Sequence, residues 1–256
     1  MGKEKTKQAN KKFWEMRMSA NNDKSADIFI YGEITKYAWE EYGEVSSITF
    51  KNELDEIGDV ERINLFINSP GGSVFETMAI IAMLQRHPAK IISHIDGLAA
   101  SCASVLPMIS DEIYMPANAL MMIHHAWTYA SGNASILRKK ADEIERISES
   151  MCQYYLDRAG EKLSKERLYE MLEEDTWLTA DQCLELGLID VVTESNQAVA
   201  YAFDDEWAMR YKNVPDQLQQ SQPSPSISAE EMAERKRIAE ESQANLLYLN
   251  TILGGN

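Results

Sequence analysis

Apolar and polar positions nearly alternate in "ADIFIYGEI" (26–34), with β-branched and aromatic residues at the apolar ones, so the stretch predicts a strand ending at Gly32. Residues 44–58 have a helix-like pattern. "RINLFINSPGGS" (62–73) reads as a strand running into a turn. Ser73 with Glu76 three residues later predicts a capping box opening a helix, with Val74, Met78, Ile81 and Leu84 along one side and an end before Pro88. "KIISHIDG" (90–97) predicts a second buried strand, residues 98–109 a short apolar helix, and "EIYMP" (112–116) and "ALMMIHH" (119–125) two more strands. Strand and helix in alternation are the rhythm of a parallel sheet with crossover helices, an α/β architecture. Leu137, Ala141, Ile144, Ser148, Met151 and Tyr155 keep a 3-4 spacing, which predicts a long amphipathic helix over 133–160 with Gly160 just past its end. "SKERLYEMLEE" and "TADQCLELG" follow as helices, and "LIDVV" closes as a strand.

The pattern changes after about residue 195. "PDQLQQSQPSPS" (215–226) is rich in Pro, Gln and Ser, so 196–227 is expected to be a polar linker. Residues 228–256 then predict a C-terminal helix, opened by Ser228 and Glu231, with Met232, Leu246, Leu249 and Leu253 on its apolar face. At the other end, "MGKEKTKQANKK" carries five lysines and one glutamate, and 1–24 is expected to be a basic flexible tail. It also fits the short N-myristoylation pattern at Gly2 and Thr6. Between tail and linker, 25–195 forms the one domain expected.

Composition narrows the function. A net charge of −16 argues against a nucleic-acid binder, whose footprint would be basic. No apolar run reaches the ~18 residues that suggest a membrane span, and no apolar segment marks the N-terminus for secretion. Cys102, Cys152 and Cys183 give neither a disulfide framework nor metal-ligand spacing, so a reducing, cytoplasmic setting is expected.

Four short stretches hold candidate chemistry. "INSPGGS" puts two glycines between a strand and a helix, where free N–H groups and the helix N-terminus suit an anion; it is also simply a turn. "DGLAASCASVLPMIS" (96–110) places Ser101 or Cys102 near a helix start among small neighbours. Cys102 and Ser104 remain rival nucleophiles to Ser101, and tight helix packing through Ala and Ser would explain the stretch equally. "MMIHHAW" ends an apolar strand in two histidines, and a serine nucleophile needs a base of near-neutral pKa. His124 and His125 point to opposite faces, so one at most serves a given site. Among 41 acidic residues, Asp175 stands out because apolar structure resumes right after it in "TWLTA".

Taken in order, "INSPGGS", "DGLAAS", "MMIHH" and "EEDTWLTADQCLELGLID" resemble the successive signatures of the ClpP serine peptidases, over roughly residues 26–193. The resemblance implies a ClpP/crotonase-like fold of repeated β-β-α units. It implies Ser101 as nucleophile, His124 as base and Asp175 as the carboxylate orienting it. Gly72 and Cys102 would supply oxyanion-hole N–H groups, and Gly71 would contact substrate. The helix at 132–158 would be the family's handle, so homo-oligomeric rings of six or seven subunits, singly or stacked, are implied. Polypeptides are the implied substrates, and no metal or other cofactor is called for. Cys102-Ala103 stands where the family usually has Met-Gly, and His125-Ala126 where it usually has Gln-Pro. The long extension and divergent N-terminus look more like the head-maturation (prohead) proteases of tailed phages, acting on capsid or scaffold proteins within a prohead. The alternatives are a housekeeping ClpP subunit partnered by an AAA+ ATPase, a catalytically silent ClpP-like scaffold, and a crotonase-like acyl-CoA enzyme.

Overall fold

The computed structural model describes residues 12–19, 24–39, 44–195 and 210–215. The chain divides into two compact units, 1–219 and 220–256. The expected helix at 228–256, most of the expected linker and the Gly2/Thr6 pattern lie outside the described residues.

In chain order the elements are β1 (Trp14–Met18), β2 (Ser25–Tyr31), a small pair β3 (Tyr37–Trp39) and β4 (Glu44–Val45), α1 (Ser46–Ile57), β5 (Arg62–Ser69) and α2 (Val74–Arg86). Then come β6 (Lys90–Ala100), a run of 3-10 turns over Ser101–Ile109, β7 (Glu112–Pro116), β8 (Leu120–Ile123), α3 (Ala134–Ala159), α4 (Lys165–Glu173), β9 (Thr176–Thr179), α5 (Ala180–Glu185) and β10 (Val191–Thr193). The main sheet runs β1-β2-β5-β6-β7-β10. All its pairs are parallel except β1 with β2. This is the expected α/β fold with crossover helices.

Alternation sorts the sheet's side chains onto two unlike faces. Ile28, Ile30, Ile63, Leu65, Ile67, Ile95, Ile113 and Met115 are buried beneath the helices, where α2 adds Ile80, Ile81 and Leu84. On the other face Phe29, Phe66, His94 and Tyr114 form a half-buried row of near-parallel rings, 4.7, 4.8 and 5.3 Å apart.

Four expectations need correction. The tail expected over 1–24 contains β1, because Phe13 and Trp14 are buried and the Trp14 ring lies edge-on to Phe50. Two adjacent aromatics outweigh the surrounding charge. The helix expected at 98–109 begins only at Ser101 and is 3-10, because Leu98–Ala100 continue β6 by pairing with Leu120–Met122. The capping box at Ser73 is half-formed: Ser73 accepts the Glu76 N–H, but the Glu76 carboxylate turns away to accept the Ser47 N–H at 2.8 Å, in the first turn of α1. The stripe along α2 is also rotated, burying Thr77, Ile80, Ile81 and Leu84 while Val74 and Met78 stay half-buried.

The turn from β5 into α2 is held from both sides. Ile34 donates its N–H to the Gly71 carbonyl (2.8 Å) and accepts the Ser73 N–H (2.7 Å). Gly72 has φ +143°, and a Cβ there would meet the Ile34 carbonyl oxygen at 2.2 Å. Gly58, φ +68°, has open space around its missing Cβ. Gly72→Ala is therefore expected to lower the melting temperature by about 5–10 °C and Gly58→Ala by only about 2–4 °C. Equal shifts by scanning calorimetry would contradict this account of the turn.

Candidate active site

Three strand ends are brought together by a branch in the sheet. The first half of β6 pairs with β7 at Ile92–His94. Its second half leaves β7 and pairs with β8, Ala100 opposite Met122. β9 joins β8 antiparallel, with Ile123 opposite Thr176. Ser101 follows the last residue of β6, His124 follows the last of β8, and Asp175 precedes the first of β9. An antiparallel partner presents its start beside its neighbour's end, so the three side chains meet although the chain separates them widely.

There His124 Nε2 lies 2.7 Å from Ser101 Oγ, and His124 Nδ1 lies 3.9 Å from Asp175 Oδ1. Ser101 and Asp175 both have positive φ, +55° and +51°. Such backbone costs of order 1–3 kcal/mol per residue and persists only where the surroundings enforce it. It turns Ser101 sharply out of the strand. His124 is buried, and burial lowers its pKa below the ordinary 6.5; the Asp175 carboxylate opposes this, while His125 and Lys212 add to the lowering.

The rival groups are otherwise engaged. Ser104 is fully buried, donating to the Ser101 carbonyl (2.6 Å) and meeting the Tyr155 hydroxyl at 2.7 Å. Burial pushes the Cys102 thiol up to about 11, which leaves almost no thiolate at neutral pH. His125 points elsewhere, edge-on to Tyr169 and 4.0 Å from Glu173. The sequence reading of one histidine per face holds.

A cavity of about 290 Å³ opens over these groups, with Gly72, Ser101, His124, Trp127, Tyr129 and Tyr211 in its wall. The Gly71 N–H is bonded to Ser69 Oγ (3.1 Å), which leaves Gly72 as the turn's donor nearest the cavity. Gly71 itself packs on the serine: a Cβ there would lie 2.7 Å from Ser101 Cβ. The Thr77 side chain and, to a smaller degree, the backbone of Gly72, Cys102 and Ala103 partly offset the effect of burial on the Cys102 thiol. Among the described residues, no three His, Cys, Asp or Glu side chains gather as a metal site.

One contribution was missed by sequence reasoning. Residues 210–215, expected as linker, pack on the site. Tyr211 is buried edge-on to the His124 ring (5.2 Å, 88°), and its hydroxyl donates to the Pro70 carbonyl. The Lys212 N–H donates to Asp175 Oδ2 at 3.0 Å. The available signal was Tyr201, Phe203, Trp207 and Tyr211, aromatics that separate this stretch from the Gln- and Ser-rich run after it.

A family model described as Clp protease matches residues 6–196. The chain is also similar to ATP-dependent Clp protease proteolytic subunits of several bacteria. That of Bacteroides fragilis is 31% identical over 141 residues, covering 54% of this chain and 67% of the relative. That of Porphyromonas gingivalis is 31% identical over 147 residues, covering 56% and 65%. That of Bacteroides thetaiotaomicron is 30% identical over 141 residues, covering 54% and 63%. The matched segment thus spans about two thirds of these relatives' own lengths. With the family match covering most of the chain over a mainly parallel α/β sheet, the chain belongs to the Clp protease family of serine peptidases.

Proposed function

We propose that this chain is an endopeptidase in which Ser101, His124 and Asp175 act as the catalytic triad. The observation that carries the reading is the 2.7 Å contact between Ser101 Oγ and a buried histidine held on the neutral side of its titration. Ser101 Oγ attacks the scissile carbonyl carbon while His124 Nε2 takes its proton. The same nitrogen then protonates the leaving amine as the C–N bond breaks, and water releases the acyl group by the reverse sequence. Asp175 stabilises the imidazolium, and the Gly72 and Cys102 N–H groups hold the oxyanion, a contribution of about 3–4 kcal/mol per donor. Gly71 keeps the turn close enough to contact the substrate backbone.

A homo-oligomeric ring fits the surfaces that stay bare. The first half of α3 projects from the core, with Ile136 and Leu137 exposed at 48% and 42%. A second copy covering them is the economical explanation. The reading extends to capsid or scaffold protein as substrate, cut during head maturation of a tailed phage. It is supported by the 60 residues that continue past the family match. A second reading has an ATP-driven unfoldase feeding the ring. The half-buried aromatic row on the sheet face opposite the helices favours it, being an apolar surface that a protein partner would cover. Incubation with capsid precursor, with and without ATP and an unfoldase, separates the two. Processing of the precursor by this chain alone supports head maturation, and strict dependence on the unfoldase contradicts it.

Two predictions follow from the triad. Asp175→Asn is expected to lower kcat on an unfolded-protein substrate by about 10²- to 10⁴-fold with KM little changed, because the imidazole loses its anionic partner. A loss below about threefold would remove Asp175 from the mechanism. The base works only when neutral, and burial lowers its pKa, so protonation should disable it only well into acid. The acid limb of kcat/KM against pH is therefore expected to have its midpoint below 6.5, the ordinary histidine value. A midpoint above that value would contradict the assignment of buried His124 as base.

A further inference from the structure

Residues 210–213 lie beyond the 6–196 span that the family model matches, yet they touch each part of the proposed machinery. The Lys212 N–H holds Asp175 Oδ2, the Tyr211 ring closes over His124, and the Tyr211 hydroxyl holds Pro70, the residue before the Gly71-Gly72 turn. The segment is also fastened on both sides of Asp175. Lys212 Nζ donates to the Glu173 carbonyl (3.2 Å), Asn213 Nδ2 to the Glu174 carbonyl (3.0 Å), and Trp177 Nε1 to the Lys212 carbonyl (3.1 Å). We propose that Tyr211 and the backbone amide of Lys212 are positioning residues, a clamp that holds the orienting carboxylate, the base and the oxyanion turn as one unit; this rests on the triad reading above.

Asp175 needs such help. Its backbone is in the left-handed region, and Oδ1 stands 3.9 Å from His124 Nδ1, too far for a hydrogen bond. A carboxylate tied at one oxygen has little rotation left, so fixing Oδ2 keeps Oδ1 directed at the imidazole. Catalytic hydrogen bonds that are long at rest tighten when charge develops on the base. Tyr211 adds a second effect by taking the place of water beside the ring, which strengthens the attraction between imidazolium and carboxylate. Tyr211 forms part of the cavity wall together with Ser101, Trp127 and Tyr129, and its side chain also interacts with that of Ser101.

The test uses the full chain and a small alkyl fluorophosphonate, which reports serine activation without a known substrate. The limiting inactivation rate and the half-saturating concentration are read separately, and melting temperature reports folding. Tyr211→Ala is expected to lower the limiting rate at least about tenfold with half-saturation within about threefold. Tyr211→Phe keeps the ring on His124 but loses the bond to Pro70, so its limiting rate should fall between those of Tyr211→Ala and wild type. Lys212→Pro removes only the N–H to Asp175 among the backbone contacts and should also fall at least about tenfold. Lys212→Ala keeps the N–H and should stay at least about fivefold above Lys212→Pro, a contrast that decides the matter even if Tyr211→Ala does not fold. Equal rates for the two Lys212 variants would overturn the clamp. Faster labelling of Tyr211→Ala than of wild type would overturn it too, since the segment would then be a plug. Wild type that takes no label at all would instead sink the triad reading beneath it.

Discussion

Everything in the site depends on the register at which β6 changes partner. Over Ile92–His94 the strand lies beside β7; over Leu98–Ala100 it lies beside β8. A slip of one residue would turn every side chain of that half-strand to the opposite face. It would bury Ser101 Oγ among the apolar groups that now surround Cys102 and Ser104. Register is well specified here because both neighbours are filled: Ala99 and Ala100 are small enough to be fully buried between β5, β8 and the 3-10 segment. The alanines before the serine thus serve the sheet first and leave the Ser101 hydroxyl room as a consequence.

On that frame the site is preorganised by backbone rather than by charge. Positive φ at Ser101 and Asp175, a glycine turn with no room for a Cβ, and a histidine buried at the end of β8 are all conformational constraints. They are maintained by hydrogen bonds from distant parts of the chain: Ile34 on the glycine turn, Tyr155 on Ser104, Lys212 on Asp175. Catalysis by fixed groups needs this arrangement, because dipoles already in place need not reorganise as charge develops.

How much could be read from residues alone varied with the physics. The strands 62–69, 90–97 and 112–116 and the helix 134–159 were legible because local periodicity and caps specify them. So were Ser101, His124 and Asp175 as candidates, through the residue types that flank them. The branch in β6 was not legible, since "DGLAAS" is apolar and small in a way that suits a helix as well as a strand. β1 was hidden by the lysines around Phe13 and Trp14. β9 is only four residues long and lies between two helices. Tyr211 and Lys212 were invisible because their partners, Pro70 and Asp175, lie far away in sequence, and one of the contacts is made by a backbone amide that any residue would supply.

The central claim is that Ser101, and no neighbouring nucleophile, is activated. The most direct measurement is residue-level mass mapping of the adduct formed by a fluorophosphonate on the whole chain, beside the Ser101→Ala variant. The account predicts a single phosphonyl group on Ser101 and none anywhere in the variant. An adduct on Cys102 or Ser104, or one that persists in Ser101→Ala, would contradict it.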